Sequence, residues 1–101
     1  MVLEGEANTL LALGNLKMRR QDLDGALPDY RNALKIYRDI DEKLGEANTL
    51  RQLGDLKMRR DDLDGALQDY QNALKIFRDI DEKLGEANSL QAIEELNKKR
   101  S

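Results

Sequence analysis

The 101-residue chain contains no cysteine, no histidine and no tryptophan, and only one proline. Without cysteine it forms no disulfide and no thiolate zinc site. Without histidine it lacks the commonest metal ligand and the base of every nucleophile–histidine arrangement. Most enzyme chemistry is excluded on composition alone, and no cofactor or metal is expected. Three tyrosines and one phenylalanine are too few for a platform on which bases stack. No apolar run approaches the ~20 residues of a membrane span, and the opening Met-Val-Leu-Glu-Gly has neither the basic region nor the apolar core of a signal peptide. These absences predict a soluble chain without a targeting address, for which the cytoplasm is the default compartment. Neither charge sign dominates: 17 Lys and Arg against 20 Asp and Glu leave a net charge of −3. That field is too weak, and of the wrong sign, to replace phosphate counterions along a nucleic acid. Neither nucleic acid nor membrane is expected as a partner.

What remains is 40% hydrophobic and 37% charged, rich in the Ala, Leu, Lys, Glu and Arg that favour helices. A chain this short buries roughly 60–65% of its unfolded surface, so residues 1–101 are read as one domain with a thin core. Its dominant feature is a repeat of period 40. Gly5–Ile40 and Gly45–Ile80 differ at seven positions: Leu11/Arg51, Ala12/Gln52, Asn15/Asp55, Gln21/Asp61, Pro28/Gln68, Arg31/Gln71 and Tyr37/Phe77. A third copy opens at Asp81-Glu82-Lys83-Leu84-Gly85 and drifts into the polar Glu94-Glu95-Leu96-Asn97-Lys98-Lys99-Arg100. The units are about 1–40, 41–80 and a half-unit at about 81–101.

Each unit holds two helical stripes. Ala47, Leu50, Leu53 and Leu56 recur every third residue, and Leu63, Ala66, Leu67, Tyr70, Ala73, Leu74, Phe77 and Ile80 follow steps of three and one. Arg59-Arg60-Asp61-Asp62 puts cations on the last turn of one helix and acids on the first turn of the next, which suits both helix dipoles. Asp41 and Asp81 stand where a short residue tolerant of left-handed backbone ends a helix. The spacing predicts helices at about 3–20, 23–40, 43–60, 63–80 and 84–99. Junctions this short impose antiparallel neighbours. Pro28 conflicts with that pattern: it lies beyond the first turn of its helix, which predicts a late start or a kink at Gly25.

Leu10, Leu13-Gly14, Ala26, Tyr30 and Ala33, repeated as Leu50, Leu53-Gly54, Ala66, Tyr70 and Ala73, resemble the tetratricopeptide repeat signature over nearly the whole chain. The longer unit resembles the extended subclass found in kinesin light chain and in heterotrimeric G-protein adaptor proteins. The family's closing proline is absent, with Arg38 and Arg78 in its place. The resemblance implies an all-α, right-handed α-solenoid of antiparallel hairpins: five helices, two and a half repeats, the last helix a polar C-terminal cap. Gly14 and Gly54 then leave room where the two helices of a hairpin press together, and Glu94 replaces that glycine in the third copy, where no second helix follows.

The resemblance also nominates a peptide groove. Around the first helix of each unit, the face opposite Leu50, Leu53 and Leu56 is expected to face solvent and to line the concave side. It comprises Asn8, Leu11, Asn15, Met18 and Arg19; Asn48, Arg51, Asp55, Met58 and Arg59; and Asn88, Gln91 and Glu95. One asparagine per repeat suits a peptide backbone, since each amide both donates and accepts. The same asparagines also fit simple solvation or a bond to a neighbouring helix. Arg51 and Asp55, one turn apart, are placed to pair. In relatives that hold a chaperone's acidic C-terminal tail, the gripping positions carry lysine, arginine and asparagine. Here those positions hold Leu11, Asn15, Gln52, Asn88 and Ala92, so no such carboxylate clamp is expected.

Other constellations have plainer explanations. Met18-Arg19-Arg20, Met58-Arg59-Arg60 and Lys98-Lys99-Arg100 suit helix C-termini as well as they suit an acidic ligand. Asp62-Leu63-Asp64-Gly65 brushes against a calcium-loop pattern but has Arg60 and Gln71 where ligands belong, and reads as a helix start. Tyr30, Tyr37, Tyr70 and Phe77 keep to the core stripe. The sequence therefore predicts a non-catalytic scaffold whose groove takes a peptide or partner protein. The alternative is a duplicated or engineered array whose main behaviour is folding and self-association, by end-to-end stacking or hairpin exchange.

Overall fold

The computed structural model describes residues 2–101. Five helices follow one another: α1 (Val2–Arg19), α2 (Leu23–Asp39), α3 (Lys43–Arg59), α4 (Leu63–Asp79) and α5 (Lys83–Arg100). These spans lie within about two residues of those the apolar spacing predicts. None is long and apolar enough to cross a membrane.

Four junctions are built alike. At the first, the Gln21 N–H donates to the Met18 carbonyl and the Asp22 N–H to the Lys17 carbonyl, which closes α1 as a Schellman motif. The residue after each helix cap takes a left-handed φ: Gln21 (61°), Asp41 (56°), Asp61 (63°) and Asp81 (58°). Asp41 and Asp81 thus stand as expected, and Gln21 and Asp61 join them. The next residue starts the following helix. The Asp22 and Asp62 carboxylates each accept the N–H three residues on, Gly25 and Gly65, at 3.0 Å. Asp62 is therefore a helix cap. Glu42 does the same work for α3 with a longer arm, accepting from Leu44 and Gly45 at 3.1 Å.

Pro28 corrects the expectation of a late or kinked start. α2 begins at Leu23, capped by Asp22, and runs unbroken to Asp39 as α4 does without a proline. The proline removes only the donor to the Asp24 carbonyl, and both residues are exposed, so water can reach the freed oxygen.

Packing follows from rings laid on glycines. A methyl group at Gly14 would stand 2.5 Å from the Tyr30 ring, and one at Gly54 would stand 2.6 Å from the Tyr70 ring. Tyr37 and Phe77 lie as closely over Gly45 and Gly85 of the following first helix. The four rings are buried, as their place on the stripe predicts. Around them Ala26, Ala47, Leu50, Leu53, Leu56 and Ala73 form the main core. Glu94, by contrast, is exposed, with no second helix beside it among the described residues.

Consecutive helices pack as antiparallel neighbours, and α1 also meets α3 as α3 meets α5. The second helices α2 and α4 do not meet among the described residues. First helices that touch and second helices that splay give an array of helical hairpins curved toward α1, α3 and α5. Its Cα extents of 44 × 32 × 18 Å are those of a slab two helices deep.

This geometry sets the outcome of three substitutions in a thermal melt. Pro28→Gln should stabilise the fold by about 1–3 kcal/mol, read as a raised thermal midpoint; an unchanged or lower midpoint would show that α2 absorbs the proline at no cost. Gly54→Ala should destabilise by about 1–3 kcal/mol through collision with Tyr70, despite its better helix propensity. Gly5→Ala, with nothing among the described residues within 4 Å of its new methyl, should be neutral or stabilising in the same melt.

Candidate functional site

The inner layer carries a groove where α1 and α3 meet. Asn15, Met18 and Arg19 come from α1, and Gln52, Asp55 and Arg59 from α3, around a space of about 280 Å³. It shares Met18, Arg19 and Arg59 with a broader depression of about 620 Å³ that is also lined by Gln21 and Leu23. Five residues nominated from the sequence thus meet at one place: Asn15, Met18, Arg19, Asp55 and Arg59.

Two residues of this lining accept a hydrogen bond from a buried phenol. Because the Tyr30 ring lies across Gly14, its tip reaches the next residue, and its hydroxyl donates to Asn15 Oδ1 at 2.7 Å. Tyr70, across Gly54, likewise donates to Asp55 Oδ1. Tyr37 donates to Asn8 Oδ1. These bonds occupy one oxygen of each partner and leave the Asn15 and Asn8 NH2 groups and the second Asp55 oxygen available. Phe77 has no hydroxyl, so the half-buried Asn48, one repeat on from Asn8, keeps its whole amide free among the described residues.

Several nominated residues sit differently from the expectation of a solvent-facing stripe. Met18 is only 5% exposed and packs in the core with Leu23 and Leu27 beside it, because α1 ends where α2 and α3 converge. Leu11 is half-buried against the same core, and Met58 is half-buried beside Tyr70 and Leu96. The expected Arg51–Asp55 pair is not formed among the described residues; Asp55 takes the Tyr70 hydroxyl instead. Arg59 is tied at 2.8 Å to the Met18 carbonyl, satisfying a helix-end acceptor across the repeat boundary. Arg60 and Arg100 pair with Asp24 and Asp64, so two of the three basic triplets are partly spent on structure. Arg19 and Arg51 bond no acid among the described residues. Asn88 is half-buried on α5, with Gln91 and Glu95 exposed beyond it.

The tyrosine hydroxyls were not legible as site groups, because their spacing marks the rings as core. The one available signal was the Tyr37/Phe77 difference, a hydroxyl present in one copy and missing from the other. Burial, then the Asp55 charge, push the Tyr30 phenol up to about 12, with Arg59 opposing. Tyr70 is also raised, by burial first and then by its bond to Asp55. Tyr37 is raised by burial and by the Glu42 and Glu4 charges.

Five helices stacked as antiparallel hairpins define a helical-repeat fold. The tetratricopeptide repeat model matches residues 5–79, and the chain belongs to that family. Comparison with curated proteins gives no match. Tetratricopeptide repeats are in general protein-interaction modules.

The phenols give a prediction with a definite sign. A pKa raised on folding means that the native state holds protons the unfolded chain has released. Stability should therefore be full below about pH 10, the ordinary tyrosine value, and fall as pH rises toward about 12. Phenolate absorbance near 295 nm should appear together with loss of helical circular dichroism. Phenolate formation near pH 10 with the helices intact would place these hydroxyls in water.

Proposed function

We propose that the protein is a non-catalytic interaction module that holds an extended or helical segment of a partner protein against α1, α3 and α5. The reading is supported by uncommitted groups on the inner helices among the described residues: the Asn15 NH2 and the Arg19 guanidinium at the α1–α3 groove, and the Asn48 amide and Arg51 guanidinium elsewhere on α3. Amides suit a peptide main chain, and the cations favour a segment bearing at least one acidic side chain. Groove depth is modest, so affinity is expected to rest on these polar contacts rather than on an apolar anchor.

The unit belongs with the extended 40-residue form of the repeat. Its second helices continue to Asp39 and Asp79, past Arg38 and Arg78 where the shorter form closes on proline. Leu11, Asn15, Gln52, Asn88 and Ala92 supply no lysine or arginine to grip a C-terminal carboxylate. Peptides with free and amidated C-termini should therefore bind alike.

The test is a peptide-library screen with the full chain, followed by titration of the selected peptide. Asn48→Ala with Arg51→Ala should weaken binding by about tenfold or more, the cost of losing one charge-assisted and one neutral hydrogen bond. Both side chains are only half-buried, so the thermal midpoint should hold. Full affinity in that double variant would move the site off the inner face.

A further inference from the structure

The boundary between repeats is one interface used twice, and α1 carries a third copy of half of it, uncovered among the described residues. At the α2–α3 boundary the Tyr37 ring covers Gly45, and Arg38 pairs with Glu46 at 3.0 Å. There Thr49 is buried, and Leu53 and Leu56 are 4% and 1% exposed. At the α4–α5 boundary Phe77 covers Gly85, Arg78 pairs with Glu86 at 2.9 Å, and Ser89 and Leu96 are buried. The corresponding residues of α1 are Gly5, Glu6, Thr9, Leu13 and Leu16. Nothing lies within 4 Å of a methyl group placed on Gly5, and Glu6 pairs with no cation among the described residues. Thr9 is exposed, and Leu13 and Leu16 are 42% and 39% exposed.

We propose that this face of α1 docks on α4 of a second copy of the chain, in the place that α5 holds. The complement is specific: the Phe77 ring meets Gly5, the Arg78 guanidinium meets Glu6, and Ala66, Leu67 and Tyr70 receive Leu13 and Leu16. Each contact already exists inside the chain, between the same residue types in the same order.

α5 is the weaker occupant of that place. The Ser89 Oγ is buried without a hydrogen-bond partner among the described residues, whereas the Thr49 hydroxyl donates to the Gly45 carbonyl at 2.8 Å. Ile93 stays half-buried where Leu53 closes the α2–α3 seam. The other side of α5, at Ala87 and Leu90, is exposed, so among the described residues that helix is held by α4 and α3 alone. α1 brings threonine and leucine to the two deficient positions and is braced behind by α2. The α1 and α4 faces differ, so the contact is heterologous and repeats from copy to copy. One helix face is traded for a similar one, so the net gain is small and association belongs to high concentration.

The experiment is light scattering after size exclusion, with hydrogen exchange measured at the same loadings. Molar mass should climb from 11.5 kDa to at least twice that by ~1 mM, with α5 amides losing protection as it climbs. Gly5→Ala, which closes the seat for the ring, and Leu13→Glu with Leu16→Glu, which charges an exposed face, should each hold the mass at the monomer value with helicity unchanged. A constant monomer mass in the unaltered chain overturns the proposal. So does association that survives both sets of substitutions, or a dimer that forms with α5 fully protected, which would join two α1 faces instead.

Discussion

Everything in this array is spaced by an aromatic ring pressed against a glycine. Tyr30 and Tyr37 are seven residues apart, two helical turns, and so project from one face of α2; Tyr70 and Phe77 do the same on α4. Gly45 and Gly54 are nine residues apart, two and a half turns, and so lie on opposite sides of α3. One helix class therefore grips with a single face, and the other is gripped from both sides. A second helix that uses one face to hold two first helices must sit in the furrow between them. That placement brings α1 against α3 and keeps α2 from α4, which is the origin of the curvature and hence of the groove.

The polar contacts then fix register. Lys17–Asp29 and Lys57–Asp69, each 2.8 Å, tie the two helices of a hairpin, while Arg38–Glu46 and Arg78–Glu86 tie one repeat to the next. These pairs are at least partly open to water, so each is worth at most about 1 kcal/mol. Their use is to select among ways of sliding one apolar stripe along another, which buried leucines and alanines discriminate poorly. The three-residue junctions act in the same direction, because the residue that closes one helix also caps the next and leaves no slack in the chain.

The helices and their ends were legible because the apolar steps, the paired charges and the short residues at 41 and 81 all pointed one way. Gly14 and Gly54 were legible as close approaches for the same reason. Pro28 was misjudged because the penalty for a proline was weighed without the water that satisfies the freed carbonyl on an exposed face. Met18 was misjudged by a rule that assigns one solvent face to a whole helix. At the end of α1 the two neighbours converge, and a residue on the outer stripe is swallowed. The Tyr30 and Tyr70 hydroxyls escaped notice because periodicity says where a ring goes and nothing about where its tip emerges.

The differences between the two full units follow the same physics. At every ring-on-glycine contact the copies keep both the ring and the glycine, and Tyr37/Phe77 changes only the hydroxyl at the ring's tip. The leucines and alanines of the seams are identical. Gln21/Asp61, Pro28/Gln68 and Arg31/Gln71 are exposed positions, away from the ring-on-glycine contacts. The remaining changes, Leu11/Arg51, Ala12/Gln52 and Asn15/Asp55, fall on the inner helices, and 15/55 is a hydrogen-bond acceptor for a tyrosine in both copies. The hydroxyl missing at Phe77 releases the Asn48 amide that its counterpart at Asn8 spends on Tyr37. Two units that share their ring-on-glycine contacts are thus distinct on the inner helices, with a different charge, amide and acceptor in each. A surface varied in this way presents an asymmetric series of contacts, which supports the proposal that it holds a segment in one direction.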